Sequence, residues 1–290
     1  MNHIGSVIKE YRSIVGMSRK SLSEDICSEK YVYLIEKGQR TPSSNMVRLF
    51  SDKLGVDLFK YYEYLNCISP IDVEATIHIF DRYRRKTNMD ALKDATDKAS
   101  ELVDFHSKPW FYEIEINRLT YMILKEWRYK EAIEEIQDIL KEAESKDYNS
   151  TSFANLYVLL STSYQMGRDM KNAKKAVMAA YQIIKDKEND AKYIQTIITV
   201  RINKITMHYL SGEYDEVIKE GLELAQYQLD MNEYERFHHV HFYLAFAHYI
   251  KGLEEEGVSW FVKGLHICLA IFKPIDVYYL SSYEMFDVLA

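Results

Sequence analysis

Proline is scarce in this 290-residue chain, with only 4, and glycine is little commoner at 10. That shortage argues against a loop-rich chain and suits a nearly all-helical one with few long connections. Cysteine is rarer still. Cys27, Cys67 and Cys268 are odd in number and far apart, with neither a CxxC pair nor a Cys/His zinc spacing. Reduced structural thiols in a cytoplasm are the plain reading. No uninterrupted apolar run approaches the roughly 18–20 residues that span a bilayer, and the N-terminus lacks the apolar stretch of a secretion signal. A cytoplasmic protein with no membrane partner is therefore expected. Glycine-rich phosphate loops are missing too: there is no GxxxxGK[ST] and no GxGxxG. Neither a cofactor nor a catalytic role is expected.

What is present is tyrosine, 24 residues of it, and an uneven charge. The net charge is −7, which argues against a basic coat for nucleic acid. Residues 1–66, however, hold 10 Lys and Arg against 8 Asp and Glu, whereas the remainder holds 27 against 36. The acidic part is unsuited to lie on DNA; the first part can.

Within that first part, Ser18 to Pro42 reads as two short helices meeting at a tight turn. Ser18 is an N-cap candidate, followed by Leu22 and Ile26 on one face. Ser28 is a second cap, with Glu29 in the favourable first turn. Val32 and Ile35 supply the buried face, and Gly38 ends a helix over Ser28–Lys37. The other face carries Glu29, Lys30, Tyr33, Leu34 and Lys37. Flanking helices are expected over Ile4–Val15 and Ser43–Leu54, and a short aromatic one over Leu58–Asn66.

The segments IKEYR, SRKSLSEDI, SEKYVYLIEKG and TPSSNMVRLFSDKLGV, at this joint spacing, resemble the five-helix lambda-repressor-like, or XRE-type, helix-turn-helix over residues 4–66. The resemblance implies that Arg12 in the first helix pairs with Glu36 at the end of the third as a structural pair. It also implies DNA contacts from Arg19, Ser28, Glu29, Lys30, Tyr33, Leu34, Lys37 and Arg40. Lys30 can donate to guanine and Glu29 can accept from cytosine, whereas Arg19 and Arg40 are expected on phosphates.

A linker follows over residues 67–72, with Pro70 disfavouring helix at Ser69 and Asp72 able to cap what comes next. From 73 to 290 the pattern is long helix, short break, long helix. The breaks at Trp127–Ala132, Gly167–Ala173, Gly212–Val217 and Gly252–Gly257 recur at intervals of 41, 44 and 40 residues, counted at the last residue of each. That period is similar to tetratricopeptide repeats with lengthened helices. Hairpins are expected near 71–105, 109–146, 151–187, 190–229 and 232–272, and a last tyrosine-rich helix over 275–289. The expected fold is all-α: a helix-turn-helix domain (1–66, with 58–66 as a linker helix), then an α-solenoid whose first helices line a groove.

Those first helices carry polar stripes. They include Glu113, Asn117 and Thr120; Asn155 and Thr162; Thr196, Thr199, Asn203 and Thr206; and His238, His241 and His248. Asparagine can pair with the backbone of an extended peptide. The histidines invite a metal, but no carboxylate is placed beside them, so groove or core residues are the reading and no metal is expected.

The whole arrangement, with Ser23–Cys27, Pro42-Ser43 and Val200-Arg-Ile-Asn203…Tyr209-Leu…Tyr214, resembles the PlcR-type (RRNPP) quorum-sensing regulators of Gram-positive bacteria. The resemblance implies a homodimer on an inverted repeat of double-stranded DNA, controlled by a short signalling peptide. Asn203 stands where similar proteins contact peptide backbone, and Asn117, Asn155, Thr199, His241 and Tyr243 complete the expected peptide set. The alternative is an XRE-type repressor whose repeat domain only oligomerises or binds a protein partner.

Overall fold

A computed structural model describes residues 2–144, 147 and 150–271. Among them there is helix and no strand. The chain divides into two compact units, residues 1–118 and 119–290.

The first unit opens with α1 (Ile4–Ile14), α2 (Arg19–Ser23), α3 (Glu29–Glu36) and α4 (Ser44–Leu54). Each of the last three begins on a serine that accepts the amide three residues on: Ser18 from Ser21, Ser28 from Tyr31 and Ser43 from Met46. These caps satisfy one of the orphan amides that every helix start leaves. Gly16, Gly38 and Gly55 follow the helix ends with positive φ. Ile4, Val7, Ile8, Leu22, Val32, Ile35, Val47, Phe50 and Leu54 close into one buried core. Gly5 sits inside α1 for a different reason. A Cβ built there would lie 1.8 Å from the carbonyl oxygen of Ile35, so α1 and α3 approach backbone to backbone.

The expected helix over 58–66 is a 3-10 turn, Phe59–Tyr64. Its Phe and Tyr run is a poor α-former, and Leu58 and Tyr61 are drawn into the head core instead. Tyr64 stacks on Trp110 with ring centroids 5.0 Å apart. The linker is held on both sides. Asn2 donates to the carbonyls of Cys67 and Ile68, and the Asp104 carboxylate accepts from the amides of Ile68 and Ser69 at 2.7 and 3.0 Å. Helix α5 (Pro70–Arg85) starts on the proline itself, where the missing N–H costs nothing, so Asp72 lies in the first turn and is not the cap. Helix α6 (Met89–Ala99) completes the first hairpin.

Helix α7 (Phe111–Leu124) crosses from one unit to the other. The second unit continues with α8 (Tyr129–Lys141), α9 (Thr151–Met166), α10 (Met170–Ile184), α11 (Ile194–Leu210), α12 (Tyr214–Asp230), α13 (Phe237–Ile250) and α14 (Glu254–Ile271). Successive helices pack on each other, and α11 also touches α9 and α13. The first helices of the last three hairpins, α9, α11 and α13, therefore lie side by side. One apolar core runs through them, from Ala154 and Val158 through Ile197, Val200 and Ile205 to Val240 and Leu244. The expected helix over 275–289 lies outside the described residues.

The repeat has a backbone signature. Each hairpin turn carries one residue in the left-handed region: Thr87, Trp127, Arg168, Gly212 and Gly252. Five residues after each comes a buried small or apolar residue: Leu92, Ala132, Ala173, Val217 and Gly257. The left-handed residue reverses the chain. The buried one lets the second helix sit close to its neighbour.

Candidate functional site

Helix α3 turns Val32, Ile35 and Glu36 inward and leaves Ser28, Glu29, Lys30, Tyr33 and Lys37 exposed, with Leu34 half-buried. Arg40 is exposed in the loop beyond. The expected outward row is thus continuous on one short helix. Ser28 is already engaged as the cap of α3, which fixes where the row begins.

Behind that row sits the structural pair. Arg12 Nε donates to Glu36 Oε1 at 2.6 Å and its Nη1 to the Met17 carbonyl at 2.7 Å. Glu36 has only 1% of its side chain exposed. Burial would raise its carboxyl, but the hydrogen bonds and charges of Arg12 and Arg19 outweigh that and hold it below the ordinary glutamate range. The second arginine is a finding. Arg19, expected on phosphate, donates from Nε to Glu36 Oε2 at 2.7 Å and lies over the Tyr33 ring. Lys53, which sequence reasoning passed over, donates to the carbonyls of Ser21 and Glu24 and so ties α4 to the end of α2.

The candidate peptide residues divide. On α11, Thr199 and Asn203 are half-buried. Thr199 accepts from Arg236, and Asn203 donates from Nδ2 to the Thr199 carbonyl at 2.9 Å. One turn on, Thr206 bonds the Tyr243 hydroxyl at 2.8 Å, and Tyr209 packs on the Tyr243 ring, which joins α11 to α13. Asn155 is half-buried on α9.

Asn117 and His241 are placed elsewhere. Asn117 is 2% exposed, with Oδ1 accepting from Arg84 at 2.8 Å and Nδ2 donating to Thr96 at 3.0 Å. Both ends of its amide engage the first hairpin, Arg84 of α5 and Thr96 of α6. His241 is buried and stands edge-on to Trp260 of α14, with Nδ1 on the Phe237 carbonyl. His238 and His248 are buried as well. Of the two readings, groove or core, burial fits these histidines to the hairpin interior. Burial pushes His238 down to about 4 and His239 to about 3. Among the described residues no group of His, Cys, Asp and Glu could hold a metal ion.

With this geometry in hand, the class of the head is plain: residues 8–60 match the helix-turn-helix family model. Beyond the head, the fold is shared with solved structures over nearly the full length of the chain. It is similar to Bacillus thuringiensis PlcR, solved in complex with the peptide PapR7 and DNA, at 17% identity and a TM-score of 0.73, covering 98% of this chain and 100% of that one. It is also similar to ComR from S. thermophilus, solved with DNA and its signalling peptide ComS, at 13% identity and a TM-score of 0.52, covering 94% and 95%. A Listeria monocytogenes EGD-e chain aligns at 12% identity and a TM-score of 0.55, covering 99% and 98%. No curated protein matches the chain by sequence. No helix among the described residues is long and apolar enough to cross a membrane.

Proposed function

We propose that this chain is a cytoplasmic, sequence-specific transcription regulator, and that a short signalling peptide bound to its helical-repeat part controls it. The observation that supports this most is the pairing of a capped recognition helix with a fold shared, over its full length, by PlcR bound to peptide and DNA. Glu29, Lys30, Tyr33, Leu34 and Lys37 would read base edges, with Ser28 and Arg40 near phosphates. Two heads are needed for an inverted repeat, so the protein acts as a homodimer joined through the repeat part.

The peptide would lie across α9, α11 and α13. An extended peptide carries a row of amides and carbonyls, each costing about 1–3 kcal/mol if left unpaired in a dry groove. Asn155 and Asn203 can pair with them, and the half-buried Tyr209 offers ring surface for apolar side chains, whereas Tyr243, 8% exposed, supports it from the core. The peptide acts only if it favours one arrangement of the heads over another.

Selection of bound duplexes from a random DNA library by the full-length chain tests the DNA-reading part. An enriched inverted repeat is expected. No enrichment at any salt concentration would remove the reading.

A further inference from the structure

Arg19 opens the scaffold helix of the reader, where phosphate binding was expected of it. Its surroundings fit another task. The Nε–Glu36 Oε2 bond is 2.7 Å long, and the side chain is only 34% exposed. Its guanidinium carbon lies 5.3 Å from the centroid of the Tyr33 ring. Tyr33 is 43% exposed, on the outward row of α3. One planar cation thus bridges the buried carboxylate and the most exposed aromatic ring of the recognition helix.

Releasing Arg19 to a phosphate would have two costs. Glu36 Oε2 would keep only the 3.4 Å contact from Arg12 Nη2, while remaining buried. A buried carboxylate that loses a charged partner is strongly disfavoured. Tyr33 would lose the cation over its ring, worth about 0.5–1 kcal/mol at an exposed site, and with it one reason to hold a single orientation. A side chain fixed before binding loses less freedom on binding.

We propose that Arg19 is a positioning residue for base reading: anchored on Glu36, it sets the Tyr33 ring at the groove and does not itself neutralise a phosphate. The proposal rests on the DNA-binding reading above and adds to it which side chain fixes the reading geometry. It also separates Arg19 from Arg12. Arg12 has a second bond to the Met17 carbonyl and holds the fold; Arg19 connects that fold to the reading surface.

The experiment uses the full-length chain and the duplex that the wild type selects from a random library, with a shuffled duplex as reference. Affinity for both is measured across a salt series for the wild type, Arg19→Ala, Arg19→Lys, Tyr33→Ala and the Arg19→Ala/Tyr33→Ala double variant. A phosphate contact contributes about 0.9 to the slope of log affinity against log salt. The proposal expects Arg19→Ala to keep the wild-type slope and to lose selectivity about as far as Tyr33→Ala does. The double variant should be no less selective than the poorer single one. Arg19→Lys keeps a cation for Glu36 but not the planar stack, so it should fold as the wild type and still lose selectivity. A slope reduced by about 0.9 with selectivity intact in Arg19→Ala overturns the proposal, as do additive losses in the double variant or full selectivity in Arg19→Lys. A wild type that selects no duplex would count against the DNA-binding reading itself.

Discussion

Arg84 donates from Nε to Asn117 Oδ1 at 2.8 Å, and this bond braces α5 against α7. Arg84 also reaches Glu113 at 2.7 Å, while Asn117 passes its own donor to Thr96 on α6. The network spans the first hairpin and the start of α7. It ties α5, α6 and α7 together through side chains.

Asn117→Ala should therefore cost stability and not ligand affinity. It leaves the half-buried Arg84 Nε without this partner and the buried Thr96 hydroxyl with its bond to the Leu92 carbonyl, for a loss of about 1–3 kcal/mol. Urea unfolding of the full-length variant measures it. Unchanged stability with weakened peptide binding would return Asn117 to the groove.

Gly5→Ala should disrupt the head. The added Cβ would stand 1.8 Å from the Ile35 carbonyl oxygen, an impossible contact with backbone on the partner side. Either α1 shifts off α3 or the head core opens. Overpacking of this kind costs about 1–3 kcal/mol, and backbone resistance places it at the upper end. Thermal unfolding followed at the head is the check, with Gly5→Ser expected to behave alike.

Much of this architecture was legible in the residues. Ser18, Ser28, Ser43 and Gly38 mark helix boundaries by chemistry that acts within four residues, so the reader domain could be drawn in advance. The period of the array was legible because each turn needs a left-handed residue and a small or apolar residue five positions on. Its first copy, Thr87 and Leu92, escaped notice because threonine is a rare choice for a left-handed turn. Gly5 escaped because the need for it lies on another helix. The burial of Asn117 and His241 was not legible for a related reason. Helical spacing shows which residues share a face, but not whether that face meets a neighbouring helix or a ligand.

Acid should act on Glu36 in a defined direction. Its carboxyl is held below the ordinary glutamate value when folded, so its stabilisation is complete above that value and is lost as pH falls through the lowered one. Glu36→Gln removes the charge that both arginines share and should cost about 3–5 kcal/mol at neutral pH, the range for breaking a buried pair. The variant should also lose part of the acid limb of the stability profile. A stability equal to the wild type at neutral pH would show that the pair is dispensable.

Helix α13 should weaken in mild acid for a separate reason. His238 is 4% exposed, and burial, with the nearby charges of Arg236 and His241, pushes it down to about 4. An unfolded histidine protonates near its ordinary value of about 6.5, so between that pH and about 4 the unfolded chain binds a proton that the folded chain refuses. Stability should fall across that window, by up to about 3 kcal/mol from this group. Denaturant midpoints of wild type and His238→Leu at several pH values check it, with a flatter profile expected for the variant. Parallel profiles would mean that His238 is already charged in the fold.

The central claim is that one chain couples a peptide to a DNA site, and one titration tests it. Short random peptides are passed over the full-length protein, and the retained sequence is synthesised. The affinity of the protein for its selected duplex is then measured with and without that peptide, alongside Asn203→Ala. The account predicts that the peptide changes DNA affinity, and that Asn203→Ala folds normally yet binds the peptide about tenfold or more weakly, the worth of roughly 1.4 kcal/mol. A protein that retains no peptide, or one whose DNA affinity is the same with and without the retained peptide, would contradict it.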